Sequence, residues 1–192
     1  KEDSLEKPKD EVLNLVFAGS VGYAQGLGIL VEAAKILKSE NRRVCFHIIG
    51  DGRYLPKLQE SIKANNLEDS FNLIPRKPAE EIPKYLAWAD ALLITLSKSD
   101  VFSITIPAKT QSCMACGKPI LVSADGEVQE IIREADAGLC SDAEDVCGFV
   151  DNIKSFMELS TDRRNELAAN ALHYSETHFN KERLLGRLDE IF

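Results

Sequence analysis

The sequence predicts an α/β fold, a parallel sheet of about six strands with helices on both faces. Three observations carry this. Short, nearly unbroken apolar runs rich in Val, Ile, Leu and Phe recur along the chain, as expected of strands buried on both faces. Longer stretches with apolar residues three and four apart separate them, as expected of amphipathic helices. Glycine, proline and aspartate cluster at the junctions, where turns need them. Strand and helix in alternation imply a parallel sheet with right-handed crossovers.

The strands read as 13–18 (LNLVFA), 44–49 (VCFHII), 71–74, 91–96 (ALLITL), 119–124 (PILVSA) and a short sixth near 138–140. The first helix spans 27–37, with Leu30, Ala33, Ala34 and Leu37 on one face. The second spans 54–64, on Leu55, Leu58 and Ile62. A third, over 79–89, starts after Pro78, which suits a first helical turn. Helices over 106–115 and 128–135 follow, and three more close the chain at 146–159, 163–173 and 181–192. Together these make a Rossmann-like sandwich, a fold that binds ligands beyond the carboxyl ends of its strands, beside helix N-termini.

The length of 192 residues suits one domain with a full core. Residues 12–192 read as that domain and 1–11 as a flexible lead or the tail of a linker. With 23 Lys plus Arg against 31 Asp plus Glu, the net charge is −8, which argues against general nucleic-acid binding. No apolar run approaches the ~20 residues of a membrane span. The opening KEDSLEKPKDE has no apolar core and is not a secretion signal. Since no Met begins it, the sequence reads as a piece of a longer chain. Five cysteines, an odd number, point to a reducing compartment rather than a disulfide framework. Cys113 and Cys116 form a CxxC on a helix without a second half-site, so small buried side chains are favoured over a zinc or redox centre.

Four segments at strand ends could carry chemistry. AGSVGYAQGLG, after the first strand, has Gly19, Gly22 and Gly26. It suits either a plain strand-to-helix turn or the close approach of a ligand to backbone amides, and it is not the dinucleotide fingerprint. GDGR follows the second strand, and Arg76 and Lys77 follow the third between Pro75 and Pro78. The fourth segment runs from Ser99 to Ile132. Ser103 and Thr105 precede a helix that begins near Pro107, and their hydroxyls, the free amides of that helix and Lys109 could converge on a diphosphate. Glu130 lies one turn into the next helix and is counted with them. His47, His173 and His178 pair with no Ser, Cys or Asp in a hydrolase pattern.

In order, FAGSVGYAQGLGILVEAAKIL, FHIIGDG, IPRKPAEEIPKYLAWADALLI, PAKTQSCMACGKPIL and DGEVQEIIREADAGL resemble the C-terminal, donor-binding half of retaining glycosyltransferases of the GT-B fold, most like the group 1 (family 4) enzymes. The resemblance covers 13–192, and HFNKERLLGRLDEIF looks like the family's closing helix. Ala24-Gln25-Gly26-Leu27 and Pro107-Ala108-Lys109 look most like the subgroup that builds O-antigen, capsule and other exopolysaccharides. This implies transfer of a sugar from a nucleotide-diphosphate donor, commonly UDP-linked, with no cofactor and usually no metal in this half. It implies a catalytic electrostatic role for Lys109. Donor contacts are implied at Gly22, Gln25, Gly26, Arg76, Lys77, Ser103, Thr105 and Lys109, with Arg76 and Lys77 at the base. The implied partners are an acceptor domain absent from this chain and a lipid-linked acceptor. The implied setting is cytoplasmic, with peripheral contact at the inner face of the cell membrane, and this half alone is expected not to turn over. The family often carries two glutamates seven residues apart, where this chain has Ile104 and Ser112, and a lysine where it has Gln25. Those departures raise an alternative, a non-catalytic homologue acting as an interaction module.

Overall fold

The computed structural model describes residues 12–99 and 108–179. Six strands, β1 (Leu13–Ala18), β2 (Val44–Ile49), β3 (Phe71–Ile74), β4 (Ala91–Thr95), β5 (Ile120–Ser123) and β6 (Gly138–Ser141), form one sheet in the order β3-β2-β1-β4-β5-β6. Every pairing is parallel. The order reverses between β1 and β4. Crossovers leave in opposite directions there, so no connection covers the carboxyl end and a crevice opens.

The helices are α1 (Gly28–Ser39), α2 (Leu55–Ala64), α3 (Ile82–Ala87), α4 (Ala108–Ala115), α5 (Glu127–Glu134), α6 (Val146–Glu158) and α7 (Thr161–His178). Alternate strand residues feed two cores. Leu15, Phe17, Phe46 and Ile48 pack with Leu30, Leu58, Phe149 and Phe156, so α1, α2 and α6 cover one face. Val16, Ile49, Leu92 and Ile94 pack with Tyr85, Met114, Ile132 and Ala171, so α3, α4, α5 and α7 cover the other. The strands read as continuous apolar runs because both faces are covered.

Two helices differ from the sequence expectation. The third begins at Ile82, not 79: residues 79–81 form a turn closed by Glu81 N–H donating to Pro78 O at 3.0 Å, and Pro83 sits in the first helical turn instead. The helix expected over 163–173 runs from Thr161 to His178, because Ser160 Oγ accepts from Arg163 N–H at 3.2 Å and caps it two residues earlier. The expected lead at 1–11 and closing helix at 181–192 lie outside the described residues.

A polar cluster is buried toward the amino end of the sheet, away from the crevice. His47 Nε2 lies 3.0 Å from Asn14 Oδ1, and Asn72 Nδ2 lies 3.2 Å from His47 Nδ1. Asn14 Nδ2 donates to Val12 O at 2.8 Å, which leaves its Oδ1 as acceptor and assigns the imidazole proton to Nε2. Both ring nitrogens are thus satisfied in the neutral form. Burial pushes the His47 pKa down from 6.5 to about 4, against a smaller opposing pull from Asp90. A depressed histidine means that the unfolded chain binds the extra proton first. The stability it contributes is complete above about pH 6.5 and is lost as pH falls toward 4. Urea unfolding at pH 7.5 and pH 4.5 should differ by about 2–3 kcal/mol from this group, and His47→Gln should flatten that difference.

Candidate functional site

The loop after β1, residues 19–27, is fastened on two sides. Toward β4, Thr95 Oγ1 donates to Gln25 O at 2.6 Å, and Ser97 donates to Ala24 O from its N–H at 3.0 Å and its hydroxyl at 3.2 Å. Gly26 sits in the left-handed region at φ 59°, where a Cβ would come within 2.8 Å of Leu96 C and Ser97 N. Toward β2, Gly19 N–H donates to Ile49 O, Val21 N–H to Asp51 O and Tyr54 N–H to Val21 O, at 2.9, 2.9 and 3.0 Å. Gly50, at φ 152°, has no room for a side chain because a Cβ would run into the Gly19 carbonyl. The loop is therefore pinned flat across the carboxyl ends of three strands, with Gly19 and Ser20 left exposed.

Beside these two residues a cleft of about 410 Å³ opens between the ends of β1, β2 and β3. That is within the usual range for small-ligand sites, ≈ 300–1,000 Å³. Gly19, Ser20, Asp51, Arg76, Lys77 and Ile82 line it. Its wall at Ile49 and Ile82 is apolar and its rim is charged, which suits a flat ring with a polar edge.

On the other side of the loop stands Lys109, in the first turn of α4. Its stem is half-buried but its Nζ is fully buried and has no hydrogen-bond partner. The Nζ lies 2.9 Å from the centroid of the Phe17 ring and 3.9 Å from where a Gly19 Cβ would be. Burial pushes its pKa from 10.5 down to about 7, only weakly opposed by Cys113 one turn on. The hydroxyl of neighbouring Thr110 is also buried without a partner.

The structure thus gathers Arg76 and Lys77 at the cleft and Lys109 behind Gly19. Gly22, Gln25 and Gly26 belong to the pinned loop but not to the cleft wall, and Gln25 is held through its backbone carbonyl. Space beside Gly22 is open. Glu130 is exposed on α5 and is not among the residues lining the cleft. Ser103 and Thr105 lie outside the described residues, as do Ile104 and Pro107. Ser112 is exposed, its hydroxyl donating back to Ala108 O at 3.2 Å. Cys113 is buried, which pushes its thiol up to about 11, while Cys116 is exposed with its Sγ donating to Ser112 O. Among the described residues no group of three or more His, Cys, Asp or Glu is placed to hold a metal ion. Gly50 and Asp51, in the GDGR segment after the second strand, line the cleft. Thr95 and Ser97, the loop's anchors, carry no signal apart from their place at the end of a strand.

Residues 1–174 match the family described as Glycosyl transferases group 1. Among curated proteins, the chain is 32% identical over 137 residues to the amylovoran biosynthesis glycosyltransferase AmsK of Erwinia amylovora, covering 71% of this chain and 33% of that protein. It is 23% identical over 171 residues to the putative colanic acid biosynthesis glycosyltransferase WcaL of Escherichia coli K12, covering 88% and 42%. The chain therefore spans less than half the length of these relatives. Among solved structures, Anabaena Alr3699/HepE in complex with UDP superposes with a TM-score of 0.80 at 18% identity, over 94% of this chain and 48% of that one. The sucrose-phosphate synthase of Thermosynechococcus elongatus superposes at 0.78 with 17% identity, over 95% and 45%. At those identities the structures show a shared fold.

The orphaned Lys109 amine makes a stability prediction. Lys109→Met keeps the stem's packing and removes an unsatisfied polar atom, a burden of about 1–3 kcal/mol. Thermal unfolding should show the variant at least as stable as the parent, with Tm raised by about 2–4 °C for each kcal/mol gained.

Proposed function

The chain belongs to the group 1 glycosyl transferases, and on that premise we propose that it is the donor-binding part of an enzyme that moves a sugar, with retention of configuration, from a UDP-linked donor to an acceptor in polysaccharide biosynthesis. The observation that carries this reading is the pinned loop with a cleft on one side and a buried amine on the other. In it the nucleotide base lies in the cleft near Arg76 and Lys77, and the diphosphate crosses the exposed backbone of Gly19 and Ser20 toward Lys109. UDP, rather than another nucleotide, is supported by HepE, whose crystals hold UDP and UDP-glucose. Polysaccharide as product is supported by the amylovoran and colanic acid relatives.

The chemistry follows from where charge develops. The bond between the sugar's anomeric carbon and the diphosphate oxygen breaks, and its electron pair stays on the diphosphate. The acceptor hydroxyl oxygen bonds that carbon, and its proton passes to the leaving diphosphate oxygen. An ammonium and backbone amides fixed beforehand around the leaving oxygens stabilise that charge without reorganising. Lys109, in the first turn of α4, is the group assigned this role.

The acceptor site belongs to a second module, so this chain alone binds the donor and does not turn over. In the longer, cytoplasmic protein a lipid-linked acceptor brings the enzyme to the inner face of the membrane. Among the described residues no helix is long and apolar enough to cross one. A second reading, a non-catalytic interaction module, draws on Ser112, where the family resemblance leads one to expect a glutamate.

Calorimetric titration of the chain at millimolar UDP, GDP and ADP tests the proposal. UDP should bind most tightly, and silence from all three would remove the donor site. Lys109→Ala should weaken UDP-glucose binding by about 10–100-fold, or ~1.5–3 kcal/mol, the worth of a charge-assisted hydrogen bond. Equal affinity in the variant would take Lys109 out of the site.

A further inference from the structure

A lysine amine sealed from water with no hydrogen-bond acceptor is unstable as an ammonium, because burial disfavours the charged form. Lys109 is in that position. Its Nζ touches the face of the Phe17 ring and makes no hydrogen bond. Among the described residues, the groups that face it supply no counter-charge. β1 offers Phe17, and the loop after it offers the bare backbone at Gly19. α4 itself offers the Cys113 thiol, which burial keeps protonated. β4, which α4 also contacts, carries no titratable side chain. α7 packs on α4 and carries Asp162, Arg163, Arg164, Glu166, His173, Tyr174, Glu176 and His178, none of which is a cause of the shift at the amine.

The amine also stands beside the exposed backbone of the pinned loop at Gly19. We propose that Lys109 is a proton-coupled phosphate hook: it rests uncharged against Phe17 in the ligand-free chain, and takes up one proton from solvent when a diphosphate settles on the backbone of Gly19 and Ser20. The proton makes the amine an ammonium that pairs with a phosphate oxygen, and no covalent bond changes. This rests on the donor-binding reading given above and adds to it a regulation of that site by pH. With a resting pKa of about 7, the proton is already present at pH 6 and must be acquired at pH 8. Affinity for the diphosphate should therefore fall about tenfold between those two values.

The test is calorimetric titration of the chain with UDP-glucose at pH 6 and pH 8, each in two buffers of different ionisation enthalpy. UDP-glucose is the probe because both phosphates of its diphosphate are esterified, whereas the terminal phosphate of free UDP titrates near neutrality itself. Uptake should be close to one proton per ligand at pH 8 and close to zero at pH 6. Lys109→Arg, charged throughout, should bind with no uptake and without the tenfold loss. Lys109→Met should bind 10–100-fold more weakly at pH 6, also without uptake. In the ligand-free chain, NMR of lysine labelled with ¹³C at Cε should show one residue titrating near pH 7, and Lys109→Met should remove it. Binding with no uptake at pH 8, uptake that persists in Lys109→Arg, or lysines that all titrate above pH 9 would overturn the hook and leave the donor site standing. Absence of binding by any nucleotide sugar would overturn both.

Discussion

The site depends on one backbone constraint: residues 19–27 must lie flat across the ends of β1, β2 and β4. Six hydrogen bonds from the loop's two sides hold it there, and two glycines make the approach sterically allowed. If Gly50 carried a side chain, the loop could not close on β2. If Gly26 did, it could not turn under the end of β4. The consequence is a strip of exposed backbone at Gly19 and Ser20 whose position is fixed before any ligand arrives. Binding then loses little entropy in ordering the loop.

That strip divides the crevice into two chemically different halves. On the β2 and β3 side the cleft has an apolar wall and a charged rim. On the β4 side the first turn of α4 brings a buried amine. A ligand with a flat ring at one end and concentrated negative charge further along matches this order of environments. The chain's net charge of −8 makes the placement more telling. General attraction of anions is absent, so any affinity for a diphosphate has to come from a few groups at short range.

Much of the fold was legible because a parallel sheet covered on both faces leaves unbroken apolar runs; all six strands fall within two residues of where those runs lie. α3 was misplaced because Pro78 and Pro83 each suit a first turn, and periodicity does not choose between them. The chemistry was legible where it sits directly after a strand, as with Arg76 and Lys77. It was hidden where it depends on pairs far apart in the chain. Nothing in the pattern around Lys109 announces Phe17, 92 positions away, as its resting partner. Nor does anything in ALLITLS mark Thr95 and Ser97 as the anchors of a distant loop. Glu130, one turn into the helix after β5, is exposed and does not line the cleft.

Two buried bases in this molecule share one cause and meet opposite treatment. Burial depresses both His47 and Lys109. Around His47 the fold supplies an acceptor for one ring nitrogen and a donor for the other, so the neutral form is complete and the cluster needs nothing more. Around Lys109 the fold supplies an aromatic face and no acceptor. A core selected for stability alone would place an apolar side chain there, since most buried polar atoms in folded proteins find partners. The amine persists where the sheet's topology leaves an opening and the loop leaves backbone exposed at Gly19 and Ser20. In the donor-binding proposal, that unmet need is answered by an anion that arrives from outside and turns the amine into its paired ammonium.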